Sequence, residues 1–216
     1  MQNVSFVSRV TRSLENRSFR EISLLILKNL IHAIKSANIR RLFPKKHPFD
    51  EKWGVETTRT HSLNSFQIDS KIARHGARYQ AGDGDRLLEI MDDIPIPYEN
   101  FNFIDFGSGK GRIVMCASLR NFARVYGVEI SQELVAFSKK NLEIFKEKAN
   151  IKSQIEIQCI NAQEFSIPSG NLVCYFYNPF DEEILRPIIE KLEDIIKNDN
   201  YHIHVVYAEA LHRDVF

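Results

Sequence analysis

Residues 101–112, Phe-Asn-Phe-Ile-Asp-Phe-Gly-Ser-Gly-Lys-Gly-Arg, limit what this chain can fold into more than any other stretch. An aromatic-rich apolar run suits a buried strand. It ends in Asp105 and then in Gly107, Gly109 and Gly111, after which Ile113-Val114-Met115-Cys116-Ala117 restarts an apolar segment suited to a helix. The pattern predicts strand, tight turn and helix start. Glycine permits backbone angles closed to other residues and lets main chain approach a ligand. The helix N-terminus behind the turn offers unpaired N–H groups and a partial positive charge.

Spacing separates the two ligand classes that use such a turn. A dinucleotide fingerprint needs G-x-G-x-x-G, but Arg112 stands where its third glycine belongs. Asp105, two residues ahead of the first glycine, is badly placed for a pyrophosphate and suits a ligand carrying an ammonium group.

The chain beyond the turn alternates regularly. Residues 123–130 form a second strand ending in Glu129, and Ser131 caps a helix with an apolar stripe through Leu134, Val135, Phe137, Leu142 and Phe145. Residues 154–160 alternate as a third strand and run into Asn161-Ala162. A buried fourth strand, 171–177, ends at Asn178-Pro179-Phe180. Asp181 caps the next helix, in which Pro187 marks either a kink or the true start. Residues 201–208 form a fifth strand. Strands separated by helices predict an α/β fold, a doubly wound and mainly parallel sheet. Ligands of such sheets bind beyond the carboxyl ends of the strands.

Upstream, Phe19, Ile22, Leu25, Ile26, Leu30, Ala33, Ile34 and Ala37 recur at three- and four-residue steps, predicting an amphipathic helix. Residues 1–46 hold ten Lys and Arg against Glu15 and Glu21, although the whole chain is formally +1. Packing onto the domain, an anionic membrane surface and a partner protein all suit this helix. The expected division is a basic helical extension and linker over 1–48 and a catalytic domain over 49–216. Residues 49–58, with the sole tryptophan, Trp53, show neither helical nor strand periodicity and read as a loop, either a plug on the core or a lid over a site. A polar turn over 81–85 precedes a helix from Arg86.

Cys116, Cys159 and Cys174 sit in apolar runs far apart in sequence and are expected to be buried free thiols in a reducing compartment. No apolar run approaches the ~18 residues of a membrane span. The expected location is cytoplasmic. His202 and His204 share a strand face but have no third ligand nearby, so no metal site is expected.

Read together, Asp105 with Gly107, Ser108, Gly109 and Gly111, then Glu129 and Ile130, Asn161-Ala162 and Asn178-Pro179-Phe180 resemble the cofactor-site motifs of class I, Rossmann-like S-adenosylmethionine-dependent methyltransferases. The stretches 105–112, Tyr177-Asn178-Pro179-Phe180-Asp181, Trp53-Gly54-Val55-Glu56-Thr57, and Tyr207-Ala208 with His212-Arg213 look like a little-characterised bacterial group of these enzymes. The resemblance runs from residue 49 to the end. It implies that the glycine turn wraps the amino-acid part of S-adenosylmethionine, that Glu129 accepts from the ribose hydroxyls, and that Asn161 bonds the adenine amino group. Where Asn161 stands the family commonly has Asp. Tyr79 resembles a tyrosine that closes over the cofactor in protein-lysine members. Asn178-Pro179-Phe180 resembles, with one proline missing, the N/D-P-P-Y/F motif of amine methyltransferases, which implies N-methylation of an amine or amide with Tyr177, Asn178, Pro179 and Phe180 placing the acceptor.

The acceptor itself, a protein or small molecule in preference to nucleic acid, is not named by the sequence. Cofactor binding without turnover, or a scaffold acting through the basic helix, are the rival readings. Class I members usually add a sixth and a seventh strand, which this sequence does not show after Ala208. Either the fold is shortened, or the natural protein continues, or the N-terminal helix or another subunit of a homo-oligomer covers the edge.

Overall fold

The structure, a computed structural model, describes residues 47–58, 81–178, 180–199 and 201–216. The expected N-terminal helix, Tyr79 and Pro179 lie outside the described residues, and the elements below all belong to the unit Lys46–Phe216. Five strands form one sheet: β1 Phe101–Phe106, β2 Arg124–Glu129, β3 Gln154–Cys159, β4 Asn171–Tyr177 and β5 Ile203–Ala208. Their order is β3-β2-β1-β4-β5, and every neighbouring pair is parallel.

Parallel neighbours need crossovers, and helices supply them. In chain order the helices are α1 Pro48–Trp53 and α2 Gly84–Asp92, both ahead of β1, then the crossovers α3 Arg112–Ser118, α4 Gln132–Lys148 and α5 Glu182–Asp199; a loop joins β3 to β4. β1 and β4 are apolar on both faces because both faces are covered. Phe101, Phe103, Val173 and Tyr175 meet Leu87, Met91, Val114, Val135 and Phe145 from α2, α3 and α4. Ile104, Phe106, Cys174 and Phe176 meet Leu185, Ile188 and Leu192 from α5. The chain winds from β1 outward to β3, then returns to the other side of β1 with β4 and β5. That reversal opens a crevice at the carboxyl ends of β1 and β4, where a doubly wound sheet binds its ligand.

Ser131 caps α4 by accepting from the Leu134 N–H, and Asp181 does the same for α5 through Ile184. α5 runs through Pro187 from a start at Glu182, so the proline is interior. Proline cannot donate to the carbonyl four residues back. Gln163 Nε2 donates to that carbonyl, Glu183 O, at 3.2 Å instead.

Three expectations need correction. Residues 48–53 form a helix, nucleated by Pro48 in its first turn and by His47 Nδ1, and stopped by Gly54 at φ 76°. Six residues are too few for periodicity to show. The helix α2 begins two residues before Arg86, inside the polar turn, because Asp83 Oδ1 accepts from both Asp85 and Arg86 N–H groups. Cys116 and Cys174 are buried, but Cys159 is exposed, because β3 is the sheet's edge strand and Cys159 its last residue. Among the described residues no sixth or seventh strand follows β5; a 3-10 turn, Arg213–Val215, packs back toward α5.

A candidate cofactor site at the strand ends

The glycine turn is built from backbone outward. Gly107 and Ser108 N–H both donate to Val128 O, at 2.9 and 3.0 Å, so the turn is tied to the end of β2. Gly107, Gly109 and Gly111 have φ of 82°, 53° and 83°, the left-handed region that side chains disfavour. At Gly111 a Cβ would also collide with Ser138 Oγ on α4, so the turn and that helix approach as closely as glycine allows. On β2, a Cβ at Gly127 would lie 2.7 Å from Ile157 Cδ1 and 2.9 Å from Ser108 Oγ. Gly127 therefore makes room for the turn.

Glu129 closes the turn from the neighbouring strand. Its Oε2 accepts from the Gly109 N–H and its Oε1 from the Ser131 N–H, both at 2.9 Å. Burial pushes its carboxyl up, and the Ser131, Gly109 and Ile130 N–H groups pull it partly back. Its two oxygens together offer about four lone-pair sites, more than these N–H groups occupy, so Glu129 can still accept from a ligand. Asp105, at the end of β1 and 3% exposed, has no hydrogen bond or ion pair among the described residues. Burial first, and then the Glu129 charge, hold its carboxyl well above the usual range. Among the described residues, two acids thus share one end of the sheet with no cation between them, while Ser108 Oγ is buried without a partner.

Residues 50–58 clamp this turn, and the sequence did not reveal how. Asn141, buried on α4, donates through Nδ2 to Glu56 O (3.0 Å) and Lys110 O (3.1 Å), and accepts at Oδ1 from the Glu56 N–H (3.0 Å). Lys110, fully buried between two glycines, reaches Glu56 Oε2 at 2.7 Å and lies over the Phe137 ring. Arg112 Nε donates to Thr57 Oγ1 at 2.7 Å, and its other nitrogens reach Thr58 Oγ1 and Gly82 O. Arg112 anchors the turn. Asp50 accepts from the backbone and hydroxyls of Thr57 and Thr58. Burial pushes its carboxyl up, but those bonds and Arg112 outweigh burial and leave it below the usual range. Trp53 meanwhile packs edge-on against Phe145, 4.6 Å between centroids, so the tryptophan is a plug on the core. The one signal in the sequence was a polar Asn141 one residue before Leu142 of the apolar stripe.

Residues 83–168, which carry the turn, both acids and Asn161, match the family model described as histone methylation protein DOT1. The five-strand parallel sheet flanked by helices is the Rossmann-like α/β arrangement, and the matched stretch is similar to a methyltransferase family. Solved structures similar to the chain include an S-adenosylmethionine-dependent methyltransferase from Clostridium acetobutylicum (14% identity, 57% of this chain and 48% of that one, TM-score 0.40). A putative RNA methyltransferase from Pyrococcus horikoshii (17%, 70% and 70%, 0.45) and an RNA methyltransferase from Salinibacter ruber in complex with S-adenosyl-L-homocysteine (28%, 57% and 72%, 0.37) are others. The chain spans about half the length of the clostridial protein. No curated protein sequence matches it.

The residues of this site fit S-adenosylmethionine, the cofactor that the sequence motifs imply. A buried carboxylate at Asp105 with no partner among the described residues matches an ammonium group, the remaining acceptor capacity of Glu129 matches hydroxyls, and the bare turn matches a ligand lying close to main chain. Ile130 is half-buried just beyond Glu129, and its carbonyl faces Cys159 Sγ at 3.6 Å. Asn161 Oδ1 accepts from the Gln163 N–H at 3.0 Å, capping its own turn and keeping one lone pair. Ala162 is buried; Phe165 lies wholly in the core against Phe106 and Tyr126.

The end of β4 sits on the other side of β1. Asn178 has φ 41° and its Oδ1 accepts from the Tyr207 hydroxyl at 3.3 Å. Tyr177 donates to Glu209 at 2.9 Å, and Phe180 packs half-buried on the α5 side of the sheet.

Proposed function

We propose that this domain methylates the nitrogen of an amine or amide on a protein or small molecule. The observation that carries the reading is Asn178, a neutral amide at the end of β4, the strand beside the one that presents Asp105 and the glycine turn.

Bound S-adenosylmethionine supplies an activated methyl group: its carbon–sulfur bond breaks as the carbon–nitrogen bond forms, and the nitrogen's proton leaves to solvent. The protein's task is then placement. Asp105 would hold the ammonium group of the cofactor and Glu129 its ribose hydroxyls, with the Gly107–Gly111 turn against its amino-acid part. Asn161, Ile130 and Ala162 would border the adenine, and Tyr79 would cover it. Asn178 Oδ1 would accept from the acceptor N–H. An amide acceptor orients a nitrogen without protonating it, so the attacking lone pair stays free. Tyr177, Pro179 and Phe180 would flank that nitrogen.

Calorimetry with S-adenosylhomocysteine and tritiated methyl transfer into lysate fractions, sorted by protease and nuclease sensitivity, test this. The expected outcome for Asn178→Ala is unchanged binding with transfer reduced at least a hundredfold. Wild-type transfer by that variant removes Asn178 from the mechanism, and label that appears only in nuclease-sensitive material overturns the acceptor class.

A further inference from the structure

We propose that Tyr207 is a positioning residue for methyl transfer, its hydroxyl fixing the direction in which the Asn178 amide faces the acceptor nitrogen. This rests on the role given to Asn178 above.

β4 and β5 are paired so that Phe176 lies opposite Tyr207 and Tyr177 opposite Ala208. Each strand then leaves the sheet at the same level through a non-glycine residue in the left-handed region, Asn178 at φ 41° and Glu209 at φ 48°. Non-glycine residues with this backbone are uncommon, and positions of this kind cluster where function fixes the backbone. The turned backbone brings the Asn178 side chain back over β5 to Tyr207.

An amide presents an oxygen on one side and an NH₂ on the other, and only an oriented partner distinguishes them. Tyr207 is oriented. Its hydroxyl donates to Asn178 at 3.3 Å, and the Asn178 atom facing it is Oδ1. One Oδ1 lone pair remains for the acceptor. The ring is held by Phe216, 5.3 Å between centroids, and by Phe176 at 6.1 Å, so the hydroxyl does not wander. Burial, with Asp214 adding, raises its ionisation above the ordinary phenol value, so it stays a donor across the working pH range.

Tyr207→Phe keeps the ring and deletes the donor. With tritiated methyl incorporation into nuclease-treated lysate protein as readout, the variant is expected to lose at least tenfold in kcat while its Kd for S-adenosylhomocysteine stays within twofold. The double variant Tyr207→Phe/Asn178→Ala should be no more than twofold slower than Asn178→Ala alone, because both changes remove one arrangement. A second arm replaces Tyr207 by 3,5-difluorotyrosine, which has the same shape but a phenol that ionises near neutrality. Transfer should then fall on the alkaline side in that variant only, since a phenolate cannot donate to Oδ1. Wild-type kcat in Tyr207→Phe, multiplying losses in the double variant, or identical alkaline limbs overturn the proposal. Should Asn178→Ala abolish transfer while Tyr207→Phe is silent, the inference alone falls; should Asn178→Ala be silent, both readings fall.

Discussion

At the scale of single residues the site depends on groups that the protein leaves unsatisfied. Asp105 is a buried carboxylate without a counter-charge among the described residues, and its burial is worth having only if a ligand brings the cation. Asp105→Asn keeps shape and removes charge. It is expected to weaken S-adenosylhomocysteine binding more than tenfold, about 1.4 kcal/mol, by calorimetry; unchanged affinity in a folded variant rules out an ammonium contact. Glu129 carries a second duty that the sequence did not reveal, since its oxygens also tie Gly109 and Ser131. Glu129→Ala should therefore lose binding more than tenfold and stability as well, whereas Asp105→Asn loses binding alone. Gly111 tests the turn itself. Its φ of 83° and the approach of Ser138 leave no room for a methyl group, so Gly111→Ala should cost about 1–2 kcal/mol in urea denaturation from backbone strain alone. A silent substitution there would mean the turn relaxes freely.

At the scale of elements, the strands and the turn were legible because each is written in adjacent residues. β1, β2 and β4 lie within a residue or two of where apolar runs and their terminal acids or amides put them. What hid were links between distant residues. Nothing in the sequence near Asn141 points to residue 56, yet two bonds join them and a third ties Asn141 to Lys110 in the turn. Lys110, set between two glycines, is fully buried against Glu56, 54 residues away in sequence. The short helix α1 escaped notice because its limits are set by a proline, a histidine cap and a left-handed glycine, not by a repeat. Asn141→Leu preserves size but strands two carbonyls and one N–H. The expected loss is about 2–4 kcal/mol in urea denaturation, since each orphaned buried group costs about 1–3 kcal/mol in isolation and some regain water. Because the clamp runs through Lys110 O, cofactor affinity should fall in the same variant; stability lost with affinity intact would separate the clamp from the turn.

At the scale of the whole molecule, the fold holds three buried carboxylates of opposite consequence, Asp50 against Asp105 and Glu129, and pH separates them. Asp50 is held below its ordinary value by Thr57 and Thr58, so its contribution to stability is present at neutral pH and is lost as pH falls. Asp105 and Glu129 are held above theirs by burial, so the native state binds more protons than the unfolded chain and the sign reverses. Their contribution is full below the ordinary Asp value of 3.8 and drains away as pH rises through the elevated native values. The difference in thermal midpoint between Asp105→Asn and the wild-type protein, both without cofactor, isolates Asp105 from all other titrations. That difference should be smallest near pH 4, favour the variant, and widen as pH rises toward 8. On the proposed ammonium contact, S-adenosylhomocysteine is expected to reverse the order: the stabilisation it gives the wild-type protein should grow over the same window and that of Asp105→Asn should not. Scanning calorimetry from pH 4 to 8 with and without the ligand reads both slopes. A midpoint difference that is flat with pH would mean that Asp105 is already paired, and the site would have no charge to offer a cofactor.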